Sequence, residues 1–313
     1  MKKILITGAG GYIGTNMIRF LQEFNRQTGA SAAPDACYLV DTLSLRGNGW
    51  ESFDFAGYDS VLHLAGKAHA DIGGLSKAEQ QAYYEINCNL AVRTAAKAKA
   101  AGVPQFIYMS SVIVYGDSAG VGKNKHITAD TQPSPANFYG DSKWQAERKL
   151  CELEQESQGD FRVAIVRSPM VYGAGSKGNF PMLVKLAAKT PVFPDIHNER
   201  SMIYIENLTE FLRLLIESGQ GGVFLPQNEA YVTTARMVQA IGGALGRQIR
   251  LTKLLKLPVR IASAMPGKLG NMANKAFGSL TVEQGLTGEL TGYQICDLEE
   301  SIRRSVEHGK NEG

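Results

Sequence analysis

The chain has 313 residues, 44% of them hydrophobic and 20% charged, with a formal net charge of +3. That length exceeds one typical domain and can bury a large core. The charge is too small to imply nucleic acid by itself, and no stretch reaches the ~20 apolar residues of a membrane span. Cys37, Cys88, Cys151 and Cys296 are scattered without metal-ligand spacing and read as reduced thiols of a cytoplasmic protein.

In chain order, Lys3 to Thr7 is a short β-branched apolar run, the pattern of a buried parallel strand. The start Met1-Lys2-Lys3 has the charge of a signal peptide, but glycine turns cut its apolar run short. Gly8, Gly11 and Gly14 follow, with Tyr12 and Ile13 in the same turn, and Thr15 to Phe24 carries Met17, Ile18, Leu21 and Phe24 on one helical stripe. Strand, glycine turn and helix N-terminus form a site for a pyrophosphate, whose charge meets the helix dipole and free N–H groups. The spacing is G-x-x-G-x-x-G, because Ile13 stands where G-x-G-x-x-G needs its last glycine. The segment from Gln27 to Asp35 reads as a loop insertion.

Cys37 to Val40 is a second strand ending in Asp41. A carboxylate there can bind both adenosine ribose hydroxyls and repel a 2′-phosphate, favouring NAD over NADP, although Arg46 nearby could host a phosphate. The segment from Thr42 to Asp59 is short for a further βα unit. Ser60 to Leu64 is the next strand; Ala65 and Gly66 after it are small enough to let the backbone approach a cofactor. His63 reads as a packed strand histidine. An alanine-rich helix spans about Ser76 to Ala101, and Gln105 to Met109 is a strand that delivers Ser110 and Ser111 to the ligand crevice.

Tyr139 and Lys143 lie four apart in a helical stretch and share a face. An ammonium beside a phenol favours the phenolate, so a group with a free pKa of about 10 can act as a base near neutrality. Arg162 to Val166 closes the sheet, giving an α/β fold with a doubly wound parallel sheet. After Arg167 elements shorten and prolines multiply (Pro169, Pro181, Pro191, Pro194), which marks a second lobe over 168–313 beside a first lobe over 1–167. Lys177 and Asn179 open a helix whose N-terminus suits a diphosphate.

Residues 247–275 hold seven basic side chains (Arg247, Arg250, Lys253, Lys256, Arg260, Lys268, Lys275) and no acidic one, interleaved with Leu251, Leu254, Leu255, Leu257 and Ile261. One reading is a solvated helix capping the second lobe. The other is contact with an anionic membrane surface or a lipid-linked sugar diphosphate.

Thr7-Gly8-x-x-Gly11-x-x-Gly14 with Tyr139-x-x-x-Lys143 resembles the short-chain dehydrogenase/reductase superfamily. The length and C-terminal half resemble its extended branch, the NAD-dependent nucleotide-sugar epimerases and dehydratases. The resemblance implies a Rossmann-like sheet, a smaller interleaved α/β lobe for the sugar nucleotide, NAD as cofactor, and homodimers through long helices. It assigns Ser111, Tyr139 and Lys143 as catalytic. Leu64, Ala65 and Gly66 would lie beside the nicotinamide ribose, Asn87 (or Asn89) would position that region, and Ser168 would belong to the cofactor-to-substrate crossover. Asn179 and Arg200 would hold the nucleotide diphosphate, with Ser111 and Tyr139 at the sugar. Many epimerases carry asparagine where Met170 stands, so the sugar is expected to sit differently here. The stretch from Arg167 to Asn207 looks closest to the branch acting on 4-keto or N-acetylated amino sugars of surface polysaccharides. The implied activity is a UDP-hexose or UDP-N-acetylhexosamine 4-epimerase. A 4-keto-sugar reductase using NADH or NADPH, and a non-catalytic dinucleotide sensor, are the alternatives.

Overall fold

The computed structural model describes residues 1–29, 37–67 and 75–311. From the N-terminus, β1 (Lys2–Thr7) passes through the glycine turn into α1 (Tyr12–Gly29), followed by β2 (Tyr38–Leu43) and β3 (Ser60–His63). Next come α2 (Lys77–Tyr83), a π-helical turn (Tyr84–Asn89), α3 (Leu90–Ala100), β4 (Gln105–Ser111), β5 (His126–Ile127), α4 (Phe138–Gln155) and β6 (Arg162–Ser168). The second half contains β7 (Met170–Tyr172), α5 (Asn179–Lys189), β8 (Val192–Pro194), β9 (Met202–Tyr204), α6 (Ile205–Ser218) and β10 (Gly222–Phe224). It ends with α7 (Thr234–Ala244), β11 (Arg250–Thr252), α8 (Lys256–Ala264), α9 (Lys268–Phe277), β12 (Thr281–Val282) and α10 (Leu298–Asn311).

The main sheet has six parallel strands in the order β10-β6-β4-β3-β1-β2. Its central strands are apolar on both faces because helices cover both. Ile4, Ile6, Leu62 and Ile107 pack against Met17 and Leu21 of α1 and against Leu208, Phe211 and Leu215 of α6. Their neighbours Leu5, Val61, Phe106, Val163 and Ile165 face Ala91, Ala95 and Ala98 of α3 and Ala146 and Leu150 of α4. The alanines let α3 lie close to the sheet.

Four expectations are corrected. Arg162–Ser168 does not close the sheet: β10, from the second half, pairs in parallel outside it. Three residues are too few to show a periodicity in the sequence. The helix expected over 76–101 is interrupted by the π turn, although Ser76 does begin it through a capping box with Glu79. β2 runs two residues past Asp41, to Leu43. α1 starts at Tyr12 and stays helical to Gly29, so residues 27–29 of the expected 27–35 loop are helix; residues 30–35 lie outside the described residues. The expectation that 42–59 is too short for a further βα unit holds, since after the end of β2 at Leu43 its one element is a 3-10 turn, Gly49–Ser52.

The second lobe has its own core, in which Tyr172, Phe180, Phe193, Tyr204, Val238 and Ile241 pack together. The two lobes interleave, because α6 and β10 return to the first core.

Candidate active site

The glycine turn is compact. Gly8 has φ +74°, and a Cβ there would stand 2.4 Å from the Ala65 nitrogen; a Cβ on Gly14 would stand 2.5 Å from the Gly8 carbonyl oxygen. Gly11 N–H donates to that carbonyl at 2.9 Å, and Leu64 N–H donates to Thr7 O at 3.1 Å. Backbone therefore meets backbone where the β1 turn passes the Leu64–Ala65 segment, and the first turn of α1 opens beside it. A cleft of about 290 Å³ lies at this helix start, lined by Gly10, Gly11, Tyr12, Arg19, Lys177 and Arg304 among others. Ile13 packs into both lobes' cores.

α4 begins at Asn137, whose side chain accepts from Gly140 N–H at 3.0 Å. This cap fixes the register that puts Tyr139 and Lys143 on successive turns. Lys143 is buried. Its ammonium donates to the Met109 carbonyl at 2.8 Å and lies 4.6 Å from the Tyr108 ring centre. A Cβ on Gly66 would come within 3.3 Å of that ammonium and 3.2 Å of Asn87 Oδ1. Burial pulls the Lys143 pKa down to about 8, with the Glu147 carboxylate acting against it. Burial, helped by Tyr83, pushes the Tyr139 phenol up to about 12. The expected acidifying effect of Lys143 is thus not what this arrangement produces: the ammonium is turned to the Met109 carbonyl, and desolvation dominates the phenol.

Ser111 ends β4 level with Ser168, the last residue of β6. Ser111 Oγ accepts from Ile113 N–H at 3.3 Å, and the buried Ser168 hydroxyl donates to the Pro169 carbonyl at 3.0 Å. Ser110 turns the other way and donates to Glu147. Glu147 and Arg167 form a buried ion pair, with Nε to Oε2 at 3.0 Å and Nη2 to Oε2 at 2.6 Å. Arg167 also donates to the Tyr115 hydroxyl. Sequence reasoning missed Glu147. Its signal was position alone, one further turn from Lys143 on the same face.

Asn87 sits in the π turn, where its amide carbonyl accepts from Lys67 N–H at 2.8 Å and its NH₂ donates to Ser142 Oγ at 3.1 Å. It ties the segment after β3 to α4, while Asn89 donates to Glu85. A π turn at this point fits the tendency of such turns to lie at functional sites. His63 is fully buried between Phe106 and Tyr108, with Nδ1 3.1 Å from Thr7 Oγ1. Burial first, and then Lys143, push its pKa down to about 3, so it is a neutral packing residue.

Asp41 is placed differently from expectation. It pairs with Leu5, whereas Leu43 is level with Thr7 at the glycine turn. Its carboxylate is exposed, accepts from the Tyr58 hydroxyl at 2.7 Å and lies 3.8 Å from the Lys3 ammonium. Two extra strand residues move the end of β2 past it, and its hydrogen bond goes to Tyr58, not to the turn.

Met170, Asn179 and Arg200 do come together: all three line a cavity of about 620 Å³ in the second lobe. Asn179 is exposed as the first residue of α5. The Arg200 guanidinium is half-buried, and two of its nitrogens donate to the Gly278 and Lys275 carbonyls at the end of α9. Burial lowers its pKa from a very high starting value, so it stays charged.

Comparison with known proteins gives the family. A family model described as the NAD dependent epimerase/dehydratase family matches residues 4–225. A UDP-glucose 4-epimerase of Vibrio cholerae is 31% identical over 98% of this chain and 95% of its own length. An N-acetyl-alpha-D-glucosaminyl-diphospho-ditrans,octacis-undecaprenol 4-epimerase of Escherichia coli O157:H7 is 29% identical over 70% of this chain and 64% of its own. The structure of a UDP-glucuronic acid 4-epimerase from Bacillus cereus, in complex with NAD, superposes with a TM-score of 0.68 over 99% of both chains at 18% identity, which shows a shared fold.

Proposed function

Because this chain belongs to the NAD-dependent epimerase/dehydratase family, we propose that it is a 4-epimerase. Its substrate is a hexose or N-acetylhexosamine joined to a diphosphate, inverted through a 4-keto intermediate. The supporting observation is the pair Tyr139 and Lys143 on successive turns of α4, with Lys143 buried against the end of β4 beside Gly66, and Ser111 at that strand's last position. A UDP-hexose or UDP-N-acetylhexosamine is the carrier form that the sequence favours. The two curated relatives differ in the carrier they are named for, while a sugar on a diphosphate is common to both.

The residues that would hold NAD are the turn from Gly8 through Gly11, Tyr12, Ile13 and Gly14, then Leu64, Ala65 and Gly66, with Asn87 behind them and Ser168, Tyr139 and Lys143 across the crevice. Asp41 adds negative charge on β2, which disfavours a 2′-phosphate and so NADP. The fit rests on two features: a turn so tight that a Cβ would fill it, and a buried ammonium whose hydrogen bond among the described residues goes to one carbonyl. When bound, NAD would supply the hydride acceptor at C4 and the hydride's return. Tyr139 takes the C4 hydroxyl proton. With a phenol near 12, it does so only when positive charge stands beside it. Lys143, at about 8, is still protonated at neutral pH and would anchor the nicotinamide ribose hydroxyls, while the positive ring of oxidised NAD would supply the charge beside the phenol. Ser111 donates to the C4 oxygen as charge shifts, and Asn179 and Arg200 hold the diphosphate.

The test is incubation with UDP-glucose, UDP-N-acetylglucosamine and their 4-epimers without added cofactor, following C4 by NMR. Inversion is expected, and Tyr139→Phe should cut kcat on the order of a thousandfold. Turnover only of a keto sugar with NADH or NADPH would replace the epimerase by a reductase. Dinucleotide binding with no turnover of either kind would leave a sensor.

A further inference from the structure

We propose that the sugar diphosphate reaches this site on a polyprenyl carrier held in an anionic bilayer, with its first isoprene units in the groove between α5 and the α8–α9 hairpin. The inference rests on the epimerase reading and decides which carrier that reading leaves open. Arg200 and Asn179 share their cavity with Leu183, Leu186, Phe193, Met202, Met237 and Val259. The two threonines in its wall are already engaged. Thr233 accepts from Arg236 N–H at 2.9 Å, and Thr234 donates to the Ala276 carbonyl at 2.6 Å while accepting from Asn198 at 3.1 Å. Apart from Arg200, Asn179, Lys275 and these threonines, the lining is apolar. A uracil ring has two carbonyls and an N–H that lose water on entering such a space and find few partners in return. An isoprenoid chain has no polar group to lose and gains burial.

The groove opens onto an apolar surface. Met182, Leu269 and Met272 line it and are exposed. Beside them α8 buries no residue. Leu254, in the 3-10 turn Lys253–Leu255 that leads into α8, and Leu257 and Ile261 of α8 remain 87%, 66% and 58% exposed. An amphipathic helix normally turns such a stripe to the core; here it faces outward, as in a helix that lies in a lipid interface. Arg247, Arg250, Lys253 and Arg260 are exposed around it, in a stretch of 29 residues without an acidic side chain. That charge complements an anionic bilayer and would repel the same face of a second copy.

The hairpin is also joined to the phosphate clamp. Arg200 donates to the carbonyls of Lys275 and Gly278 at the end of α9. Asn274 of α9 donates to Ser263 of α8 at 3.0 Å and accepts from Val121 N–H at 3.0 Å. A surface seated on lipid would therefore hold Arg200 at the depth where a membrane-borne diphosphate emerges.

The experiment offers the full-length protein N-acetylglucosamine on undecaprenyl diphosphate in vesicles of phosphatidylethanolamine and phosphatidylglycerol, and in parallel UDP-N-acetylglucosamine with the same vesicles. C4 inversion is read from the released sugar. The expected result is a kcat/KM at least about tenfold higher on the lipid carrier, as the difference in groove contacts requires, with the protein sedimenting on the vesicles. The triple variant Leu254→Glu, Leu257→Glu, Ile261→Glu should lose sedimentation and lipid-carrier turnover while NAD quenching of its fluorescence shows an intact fold. Equal or faster inversion of the UDP sugar, no sedimentation, or parental lipid turnover by the variant would each overturn the carrier inference and leave the epimerase standing. A dimer that the variant dissociates would also overturn it, by assigning the stripe to a second copy. Inversion of neither carrier by protein that binds NAD would remove the epimerase reading, and the carrier inference with it.

Discussion

Lys143 carries a charge that its surroundings oppose. Its pKa falls from an ordinary 10.5 to about 8 through burial. The unfolded chain therefore holds more protons between those values, and stability rises with pH through that window. Below pH 8 the full cost of the buried ammonium applies, on the order of 3 kcal/mol. Lys143→Met should thus abolish turnover yet unfold at higher urea than the parent at pH 7, less a share for the Met109 carbonyl left unpaired. The gap should narrow toward pH 10; urea melts at the two pH values would check it. Glu147 pushes the other way, since its carboxylate raises the Lys143 pKa. In Glu147→Gln that push is gone, so Lys143 loses its proton at lower pH and the alkaline limb of the rate profile should shift down. The same change leaves Arg167 buried without its counter-charge, at a cost on the order of 3 kcal/mol by denaturant melts. A purely structural role for Glu147 would lower stability without moving the limb. The pair Tyr139 and Lys143 was legible in the sequence because helical spacing is local. Glu147 was not, because only the fold brings Ser110 and Arg167 to it from other elements.

At the scale of elements, the glycine turn is the tightest constraint. A methyl on Gly14 would meet three backbone atoms, Gly8 O at 2.5 Å and Ala9 Cα and O at 2.8 Å, none of which can move without opening the turn. A methyl on Gly10 would meet nothing within 4 Å. Gly14→Ala should weaken NAD binding on the order of a hundredfold, a large but plausible cost for backbone displacement. Gly10→Ala should bind nearly as the parent, with titration by fluorescence quenching as the measure for both. This contrast was readable in advance, since G-x-x-G-x-x-G distinguishes positions 8, 11 and 14 from 10. The end of β2 was not. Strand pairing carried it two residues past Asp41, and pairing register depends on a partner strand that periodicity does not reveal. The π turn was equally hidden, because Tyr84–Asn89 differs from an α-helix in its hydrogen bonds, which a sequence pattern does not reveal.

For the whole molecule, the texture change after Arg167 suggests a second lobe, and residues from Tyr172 onward form a core cluster of their own. The cut at residue 167 nevertheless does not yield a self-sufficient first lobe. Leu208, Phe211, Leu212, Leu215 and Ile216 of α6 cover Ile4, Ile6, Met17 and Leu21, and Phe224 of β10 joins the same cluster. The Gln105 side chain, on the edge of β4, donates to the Leu215 and Gln220 carbonyls at 2.9 and 3.0 Å. A fragment of residues 1–167 would expose the part of its sheet that α6 covers and leave β6 as an unpaired hydrophobic edge, a template for aggregation. The fragment should therefore bind ANS, lose near-ultraviolet dichroism and precipitate. The full chain should unfold with coincident transitions by fluorescence and far-ultraviolet dichroism, because the core of the first lobe cannot open without releasing α6 from the second. Separate transitions, or a soluble 1–167 fragment with native near-ultraviolet bands, would show that the lobes fold independently and that α6 only decorates a sheet already complete without it.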